Sequence, residues 1–471
     1  MRFEDLDHRK LEIWALFIIL AFAFFLRVYA LGSAPFWIDE SISTLVSQKI
    51  IEHGVPVMDS GMFYGGQIIF QYIQAFFLLF GSSEFNARII SVIFGLLTVL
   101  LAYFIGREYS KYGGLLSALF MSVFYLEIFF SRQARHYQMF QFFFFLSLYL
   151  LYKARDNSKM IYPALISAFV CVNTQIAGLF IVPFFFIHIF MNGTKLQKWL
   201  SIIPLVPLAT KLFPALNLSS FNLDSAKNTV LGYYHYTSNM FYLLVLFIPG
   251  VAWAFKKNSR LTFLLIVPST LLLIALFFVK LFALRYIYFF AFPLILFFSL
   301  LLAFLIEEYG HLMWIAVIAL LIIPSTMVFP YTYVNVLSPM TYNLNDASMP
   351  YTDYKNLPDN VSLAIKSDTT LISYFSPDVE YYLRKPDYVL PFSMTGMGND
   401  GISINNSREE YFDRYSGAPI LISLPEKPYF VTADSFSLSK LRPTQKAFFE
   451  NITENCSVSY SNIDLKIYSC E

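Results

Sequence analysis

Charged residues are scarce in this chain: they make up 14% of its 471 residues, whereas 57% are apolar. This composition excludes a soluble globular protein and is typical of a polytopic membrane protein. The formal net charge of +1 gives no indication of a nucleic-acid partner, because in a membrane protein the position of the positive charges matters more than their sum.

Several chemical motifs are missing as well. The sequence has no cluster of metal ligands at a specific spacing, no glycine-rich phosphate loop and no nucleophile arrangement. No cleavable signal peptide is evident either. We therefore expect the first apolar run, residues 11–31, to remain in the protein as a transmembrane helix of about 20 residues.

Long apolar runs predict about eleven membrane-spanning helices. They cover residues 11–31, 88–106, 113–129, 137–152, 160–173, 175–191, 199–214, 239–255, 261–279, 287–305 and 311–330. One further run, residues 66–80, is only about 15 residues long and contains Gln67, Gln71 and Gln74, so we interpret it as an interfacial helix.

The basic residues predict the orientation of these helices. If residues 66–80 do not cross, five basic segments fall on the cytoplasmic side, as the positive-inside rule requires: 8–10, 106–111, 152–159, 194–198 and 256–260. The N-terminus is then cytoplasmic. The segments expected on the extracytoplasmic face are 32–87, 131–136, 215–238, 280–285 and the C-terminal tail.

The composition changes at about residue 331, where the chain becomes polar. We therefore predict a transmembrane domain over residues 1–330, including a first external loop 32–87 with interfacial helices, and a soluble extracytoplasmic domain over 331–471. In this tail, β-prone runs (TTLISYF, DYVLPF, APILISL, IDLKIYS) alternate with helix-like stretches (PDVEYYLR, SREEYFDRY, LSKLRPTQKAFFENI). The alternation predicts a small α/β layer.

Other features of the tail bear on its compartment. Sequons at Asn360, Asn405, Asn451 and Asn455 permit N-glycosylation outside the cytosol, although chance also produces such triplets. Cys456 and Cys470 flank two β-prone runs joined by a short turn, so we expect them to face each other across a hairpin and form a disulfide. The alternative is two free thiols. Cys171 lies in an apolar span, where a packing role is expected.

Two adjacent acids, Asp39 and Glu40, follow the first apolar run in the segment APFWIDESIS. An ionised acid is costly to bury in hydrocarbon, so acids beside a span either face water or serve a site. With Trp37 as an interfacial anchor, we interpret the pair as lining the mouth of a water-accessible cavity. The alternatives are two solvated loop acids or an N-cap for the helix-like run SISTLVSQKII.

Three stretches of the sequence resemble a known family: LRVYALGSAPFWIDES, the run from Gly61 to Phe124, and FFSRQARHYQMFQFFFFLSLYLLYKA. Together they resemble the core of the GT-C glycosyltransferases, in particular the protein mannosyltransferases and aminoarabinose transferases. The resemblance is good over about residues 20–155 and weaker beyond, where it rests on the number of spans and on the segment around Arg285. It implies a GT-C membrane fold and transfer of a sugar from a polyprenyl phosphate, such as dolichyl or undecaprenyl phosphate, at the extracytoplasmic face of the plasma membrane.

The resemblance also implies roles for individual residues. Asp39 matches the family's acid in the first external loop, so we expect it to be the base in an inverting displacement, with Glu40 as the runner-up or as a partner that orients the acceptor or a cation. Relatives often have a second acid in a later external loop, where this chain has Gln133. Glu127 is the nearest carboxylate and either substitutes for that acid or has no role. A divalent cation beside Asp39 is compatible with the chemistry, but no ligand cluster supports it.

The departing phosphate needs cations, and Arg pairs well with phosphate oxygens. We expect Arg132, Arg135 and Arg285 to bind it, with His136 and Arg88 as weaker candidates. Arg132 and Arg135 lie three residues apart and could share one helical face. The alternative is that these side chains extend to lipid headgroups.

Other functions fit the composition less well. A flippase or transporter of a lipid-linked sugar would also be polytopic, but the sequence has no duplicated halves. A membrane-anchored binding protein would not need about eleven spans. An oligosaccharyltransferase is disfavoured because the tail lacks a WWDxG-type motif. The sugar and the acceptor, whether lipid, glycan or protein, cannot be read from these residues.

Overall fold

The structure is a computed structural model. It describes residues 3–194, 241–276, 284–310, 352–366, 369–374, 376–390, 402–405, 410–413, 415–421, 425–435, 438, 441, 443–462 and 464–471. The chain forms two compact units. We call residues 1–31 and 88–344 the helical unit, and residues 32–87 and 345–471 the loop–sheet unit.

The described part of the chain up to residue 310 is almost entirely helical. Its helices are α1 (Phe3–Val28), α2 (Ile38–His53), α3 (Ile68–Leu78), α4 (Glu84–Arg107), α5 (Lys111–Val123), α6 (Tyr125–Ser131), α7 (Tyr137–Lys153), α8 (Ile161–Thr174), α9 (Val182–Asn192), α10 (Phe241–Leu276), α11 (Leu284–Ile287) and α12 (Ala291–Tyr309). Short 3₁₀ turns cover Ser158–Met160, Ile176–Ile181 and Tyr288–Phe290. Of these elements, α2, α3 and the first turn of α4 belong to the loop–sheet unit.

Four helical segments within the described residues are long and apolar enough to cross a membrane. They are Lys10–Val28, Glu84–Arg107, Leu243–Ala275 and Arg285–Tyr309, and the pair α5–α6, bent by 61°, makes a fifth candidate. The protein is therefore a mostly helical membrane protein, as predicted. The predicted number of about eleven spans is not confirmed.

Several predicted spans take a different form in the structure. Residues 137–152 and 160–173 correspond to α7 and α8, which have only 17 and 14 residues. The runs 239–255 and 261–279 are joined in α10, where Asn258 alone leaves helical geometry, at φ −148° and ψ 78°. The predicted spans 199–214 and 311–330 lie outside the described residues.

The interfacial run 66–80 folds as α3, whose 11 residues are too few to cross a bilayer as a helix. It packs against α2 through its glutamines: the Ser47 hydroxyl donates to the Gln74 side-chain oxygen at 2.8 Å, and the Gln74 amide donates to the carbonyl of Ala87 at 3.0 Å. The polar residues that distinguish this run from a span thus connect it to its neighbours.

Close backbone approach and aromatic packing hold the helical unit together. A Cβ added to Gly250 of α10 would lie 2.1 Å from the Phe297 carbonyl oxygen of α12, so only glycine fits at this crossing. Phe145 of α7 stacks on Phe292 of α12 with ring centroids 4.2 Å apart. These contacts explain part of the chain's high phenylalanine content.

The tail contains a five-stranded mixed sheet with the order β2-β1-β5-β7-β6. Its strands are β1 (Thr370–Ser373), β2 (Tyr388–Val389), β5 (Tyr429–Asp434), β6 (Ser457–Ser461) and β7 (Leu465–Cys470). A separate ribbon pairs β3 (Ile402–Asn405) with β4 (Glu410–Asp413). The helices are α13 (Asp359–Lys366), α14 (Ser376–Tyr382) and α15 (Pro443–Thr453).

Both faces of the five-stranded sheet are covered. Along β5, Tyr429 and Val431 face a core that includes Phe449 of α15, while Phe430 faces a second core that includes Val379 of α14. The predicted C-terminal α/β layer is therefore confirmed as a sheet between helices. Its extracytoplasmic placement stays a prediction.

Two details of the tail differ from the prediction. The stretch SREEYFDRY was expected to be helical, but its residues Glu410–Asp413 form β4, because pairing with β3 overrides a local helical tendency. In APILISL, Ile420 makes an isolated bridge to Val389 rather than a strand. Cys456 and Cys470 are joined by a disulfide beside the β6–β7 hairpin, with Cα atoms 4.3 Å apart.

The two units of the structure do not coincide with the two domains that we predicted from composition. Composition placed the loop 32–87 with residues 1–330, whereas contacts in the structure group it with residues 345–471. Composition describes each stretch of the chain separately, so it cannot predict contacts between residues about 300 positions apart.

Candidate active site

The pair Asp39 and Glu40 lies in the first turn of α2, in the loop–sheet unit. Asp39 is partly exposed, whereas Glu40 is 1% exposed and its Oε2 accepts a hydrogen bond from the Trp37 N–H at 3.3 Å. Asp39 is thus the more accessible of the two acids.

The N-cap alternative for Asp39 is wrong. The residue at the N-cap of α2 is Trp37, in extended conformation, and the helix begins at Ile38. Asp39 lies one residue inside the helix, so capping does not explain its carboxylate. The backbone contact at this helix start comes instead from Glu40.

A third acid, Asp378 of α14, belongs to the same unit and was missed in the sequence. It is 2% exposed, and burial raises its pKa to about 8; the Ser41 hydroxyl opposes the shift, and the carboxylates of Asp434, Glu40 and Asp39 reinforce it. At neutral pH its carboxyl group is therefore mostly protonated. Nothing in the run PDVEYYLR distinguishes this acid before the tail is folded.

A second group of charges in the loop–sheet unit fastens the loop after α2. Asp59 accepts from Lys49 at 2.9 Å and from Lys385 at 3.2 Å, and the two ammonium groups lower its pKa although partial burial opposes them. Glu380 lies nearby, and burial together with the charge of Asp59 raises its pKa to about 7. These contacts join the loop, α2 and the α14 region by charge.

Glu127 lies in the helical unit, on α6, and is fully buried. Its carboxylate accepts hydrogen bonds from the Gln141 amide at 2.8 Å, from the Tyr288 hydroxyl at 2.8 Å and from the Gln138 amide at 3.3 Å. The Arg27 charge also acts on it. Glu127 is thus the centre of a buried polar network.

Two arginines of the helical unit bind main-chain carbonyls at helix ends. Arg27 donates to the carbonyls of Ser122 at 2.9 Å and Met121 at 3.3 Å, at the end of α5. Gly95 leaves room for it, since an added Cβ would lie 2.9 Å from the Arg27 Nε. Nothing in the sequence singles out Arg27, which lies inside the first apolar run.

Arg132 likewise binds main-chain carbonyls, at the end of α1. Its guanidinium donates to the carbonyls of Tyr29 at 2.7 Å, Leu26 at 3.1 Å and Arg27 at 3.3 Å. Arg88 donates to the carbonyl of Leu31 at 2.9 Å. Both guanidinium groups therefore satisfy backbone acceptors in and after the first helix.

The expectation that Arg132 and Arg135 share a helical face is wrong. α6 ends at Ser131 and α7 begins at Tyr137, so both arginines lie in the turn between these helices. In this turn, Arg132 reaches the carbonyls at the end of α1, and the Arg135 carbonyl accepts a hydrogen bond from the Ser91 hydroxyl of α4 at 3.0 Å.

Arg135, His136 and Arg285 are brought together in the helical unit. Burial and the charges of Arg135 and Arg285 hold the pKa of His136 well below its usual value, so its ring is neutral at pH 7. Arg135 lies 5.4 Å from the Tyr137 ring and Arg285 lies 5.3 Å from the Tyr286 ring. Two cations and a neutral imidazole in one place suit an anion.

Metal binding has little support. Among the described residues, no group of three or more His, Cys, Asp or Glu is arranged to hold a metal ion. We derive no step through a cation.

Comparison with known proteins supports the resemblance found in the sequence. Residues 68–217, less than half of the chain, match the profile of the family described as dolichyl-phosphate-mannose-protein mannosyltransferase. No curated protein sequence matches significantly.

Two kinds of solved structure share the fold. ArnT from Cupriavidus metallidurans matches in the apo state with a TM-score of 0.59 at 10% identity, over 98% of each chain, and bound to undecaprenyl phosphate with a TM-score of 0.57 at 13% identity, over 96% of this chain and 97% of that one. The Archaeoglobus fulgidus oligosaccharyltransferase in complex with Zn and sulfate matches with a TM-score of 0.54 at 12% identity, over 79% of this chain. The chain spans only 62% of the length of that oligosaccharyltransferase.

At these identities the structures show the fold alone, and the profile match is what points to the activity. The resemblance to GT-C glycosyltransferases found in the sequence is thus confirmed.

Proposed function

We propose that this protein transfers a sugar from a polyprenyl phosphate to a hydroxyl group of a lipid, glycan or protein acceptor, with Asp39 as the base. The family profile that matches residues 68–217 is named for a dolichyl-phosphate sugar, and one matching ArnT structure is bound to undecaprenyl phosphate. The observation that carries the proposal is the position of Asp39. It is a partly exposed carboxylate at a helix start whose neighbours are buried.

The proposed reaction is a single inverting displacement. Asp39 accepts the proton of the acceptor hydroxyl while the hydroxyl oxygen attacks the anomeric carbon from the side opposite the phosphate. The bond from that carbon to the phosphate oxygen breaks, and the polyprenyl phosphate leaves with the electron pair. Because a phosphate leaves readily, the step needs a base and cations rather than a strong acid.

For the phosphate we assign Arg135 and Arg285, with His136 as a neutral hydrogen-bonding neighbour. Their grouping in the helical unit supports this choice. Arg132 and Arg88 were also candidates, but their guanidinium groups donate to main-chain carbonyls, so we assign them a supporting role. Arginine stays charged at all relevant pH values, which suits a site at a lipid boundary.

The other two acids have different proposed roles. Glu40 is buried and contacts the Trp37 N–H, which suits a residue that orients the start of α2. Glu127 accepts three hydrogen bonds inside the helical unit, which suits a structural acid. The positions of Glu40 and Glu127 therefore favour neither acid over Asp39 as the base.

We also propose the topology that the basic residues predict. The protein then lies in the plasma membrane with about eleven spans and a cytoplasmic N-terminus, and residues 32–87 and 331–471 are extracytoplasmic. This arrangement puts Asp39 on the side where a polyprenyl-phosphate sugar of the outer leaflet is available. Labelling of single introduced cysteines at positions 52 and 366 from outside the cell tests it, because both positions should react.

The function is tested by incubating the purified protein with a panel of polyprenyl-phosphate sugars and an acceptor-rich membrane extract, and measuring free polyprenyl phosphate. We expect release by the wild type with at least one donor, and a loss of about 10²–10⁴-fold in Asp39→Asn, the range for a positioned base. Glu52→Gln is the matched control, because Glu52 is an exposed acid at the other end of α2. It should keep wild-type activity.

Other outcomes would redirect the proposal. Equal release by wild type and Asp39→Asn would remove Asp39 as the base and move the test to Glu40 and Glu127. A second outcome is that neither the wild type nor a variant releases polyprenyl phosphate from any donor, while the intact donor moves across the membrane of vesicles that contain the protein. This outcome would contradict sugar transfer and favour a flippase.

A further inference from the structure

The segment that leads into Asp39, residues 32–37, is held by side chains from the C-terminal tail. The rings of Phe36 and Trp37 are 0% and 2% exposed. Phe36 packs against Tyr381 and Tyr382 of α14, with ring centroids 4.9 and 6.3 Å apart. The direction in which α2 starts is thus set where the loop meets α14.

Tyr382 makes the most specific of these contacts. Its hydroxyl accepts a hydrogen bond from the Phe36 N–H at 2.7 Å and donates one to the Glu84 carboxylate at 3.1 Å. A buried backbone N–H left without an acceptor is costly, so this hydroxyl fixes the peptide between Pro35 and Phe36. A phenyl ring in its place would keep the packing and lose both bonds.

Lys355 holds the other end of the segment. Its ammonium group donates to the Gly32 carbonyl at 2.5 Å and pairs with the Glu84 carboxylate at 3.0 Å. Glu84 therefore connects the two tail residues, one bonded at residue 32 and the other at residue 36. Both contacts lie within the loop–sheet unit.

We propose that Tyr382, supported by Lys355 through Glu84, is a positioning residue for Asp39: it fixes the backbone of residues 32–36 and so fixes the start of α2 that carries the Asp39 carboxylate. This inference rests on the proposed function, in which Asp39 is the base. Tyr382 takes no proton in the reaction. A misplacement of the base by about 1 Å can cost about 10²-fold in rate, so a backbone anchor three residues away is sufficient for a large effect.

The test compares Tyr382→Phe with Tyr429→Phe. The Tyr429 hydroxyl donates to the Ile452 carbonyl at 2.8 Å in the same unit but is not bonded to residues 32–37, so its loss is a matched loss of a hydrogen bond. We expect Tyr382→Phe to lower kcat at least tenfold with the KM for the polyprenyl-phosphate sugar unchanged, and Tyr429→Phe to keep kcat. The melting temperature should fall in both variants, and further in Tyr382→Phe, because Tyr382 makes two hydrogen bonds and Tyr429 one.

A double variant shows whether Tyr382 acts through Asp39. Tyr382→Phe should have no further effect on the residual turnover of Asp39→Asn, because there is no base left to position. A full tenfold loss in that background would overturn the proposal, as would equal kcat values for Tyr382→Phe and Tyr429→Phe. Full activity of Asp39→Asn alone would instead contradict the proposed function, so the two failures are distinguishable.

Discussion

The acids of the two units lie in contrasting surroundings. In the helical unit, Glu127 is fully buried and accepts hydrogen bonds from Gln138, Gln141 and Tyr288. In the loop–sheet unit, Asp39 is partly exposed at the first turn of a helix. A charge inside a membrane must be neutralised by permanent partners, whereas a charge at an accessible helix start can meet a substrate. The same type of residue therefore suits a structural role in the helical unit and, in the proposed function, a chemical role in the loop–sheet unit.

Glu127→Gln tests most strongly the contrast between the acids of the two units. The amide cannot carry the charge opposite Arg27 and brings N–H donors against other donors, so we expect a loss of about 3–5 kcal/mol in stability. Thermal unfolding in detergent measures it. A variant as stable as the wild type would show that the network around Glu127 does not hold the helical unit together.

Asp378→Asn tests the buried acid of the loop–sheet unit, through the pH dependence of the free energy of unfolding. The pKa of Asp378 is raised in the folded protein by burial, and by Asp434, Glu40 and Asp39. Its contribution to stability is therefore fully present below about pH 4 and is lost as the pH rises through about 8. The variant should match the wild type near pH 4 and exceed its free energy of unfolding by several kcal/mol above pH 8. A constant difference across unfolding curves from pH 4 to pH 9 would contradict this account.

Loss of the Cys456–Cys470 disulfide should affect the tail more than the helices. The bond closes a loop with a sequence separation of 14, and in the chain-entropy model it contributes about 3 kcal/mol. In Cys456→Ser/Cys470→Ser, proteolysis should become faster in residues 345–471 and stay unchanged in the helical unit. Cys171→Ser is the control, because Cys171 is the free buried thiol among the described residues. Equal proteolysis of the double variant and the wild type would exclude a stabilising role for the bond.

The smallest expected effect is that of Arg132→Gln. The substitution removes the donors to the carbonyls of Leu26, Arg27 and Tyr29, and should cost about 1–3 kcal/mol because these acceptors lose a charged partner. Turnover per folded molecule should fall less than in Arg135→Gln. If the order of turnover were reversed, Arg132 rather than Arg135 would be the phosphate ligand.

Part of this structure could be predicted from the sequence. Hydropathy and residue types predicted a helical membrane protein with a C-terminal α/β layer, and the three glutamines of the run 66–80 distinguished that run from a span. The sequence pattern could not predict the turn that contains Arg132 and Arg135, because a spacing of three residues occurs in turns as well as in helices. It also missed Asp378, Tyr382 and Arg27, since their contacts join residues far apart in sequence.

The measurement that tests the account most directly is a paired determination of melting temperature and turnover for Asp39→Asn and Glu127→Gln. We predict that Asp39→Asn melts with the wild type and loses turnover by at least 10²-fold, whereas Glu127→Gln melts at a lower temperature and keeps turnover per folded molecule. The opposite pattern, with an inactive but stable Glu127→Gln and an active Asp39→Asn, would contradict the assignment of chemistry to Asp39.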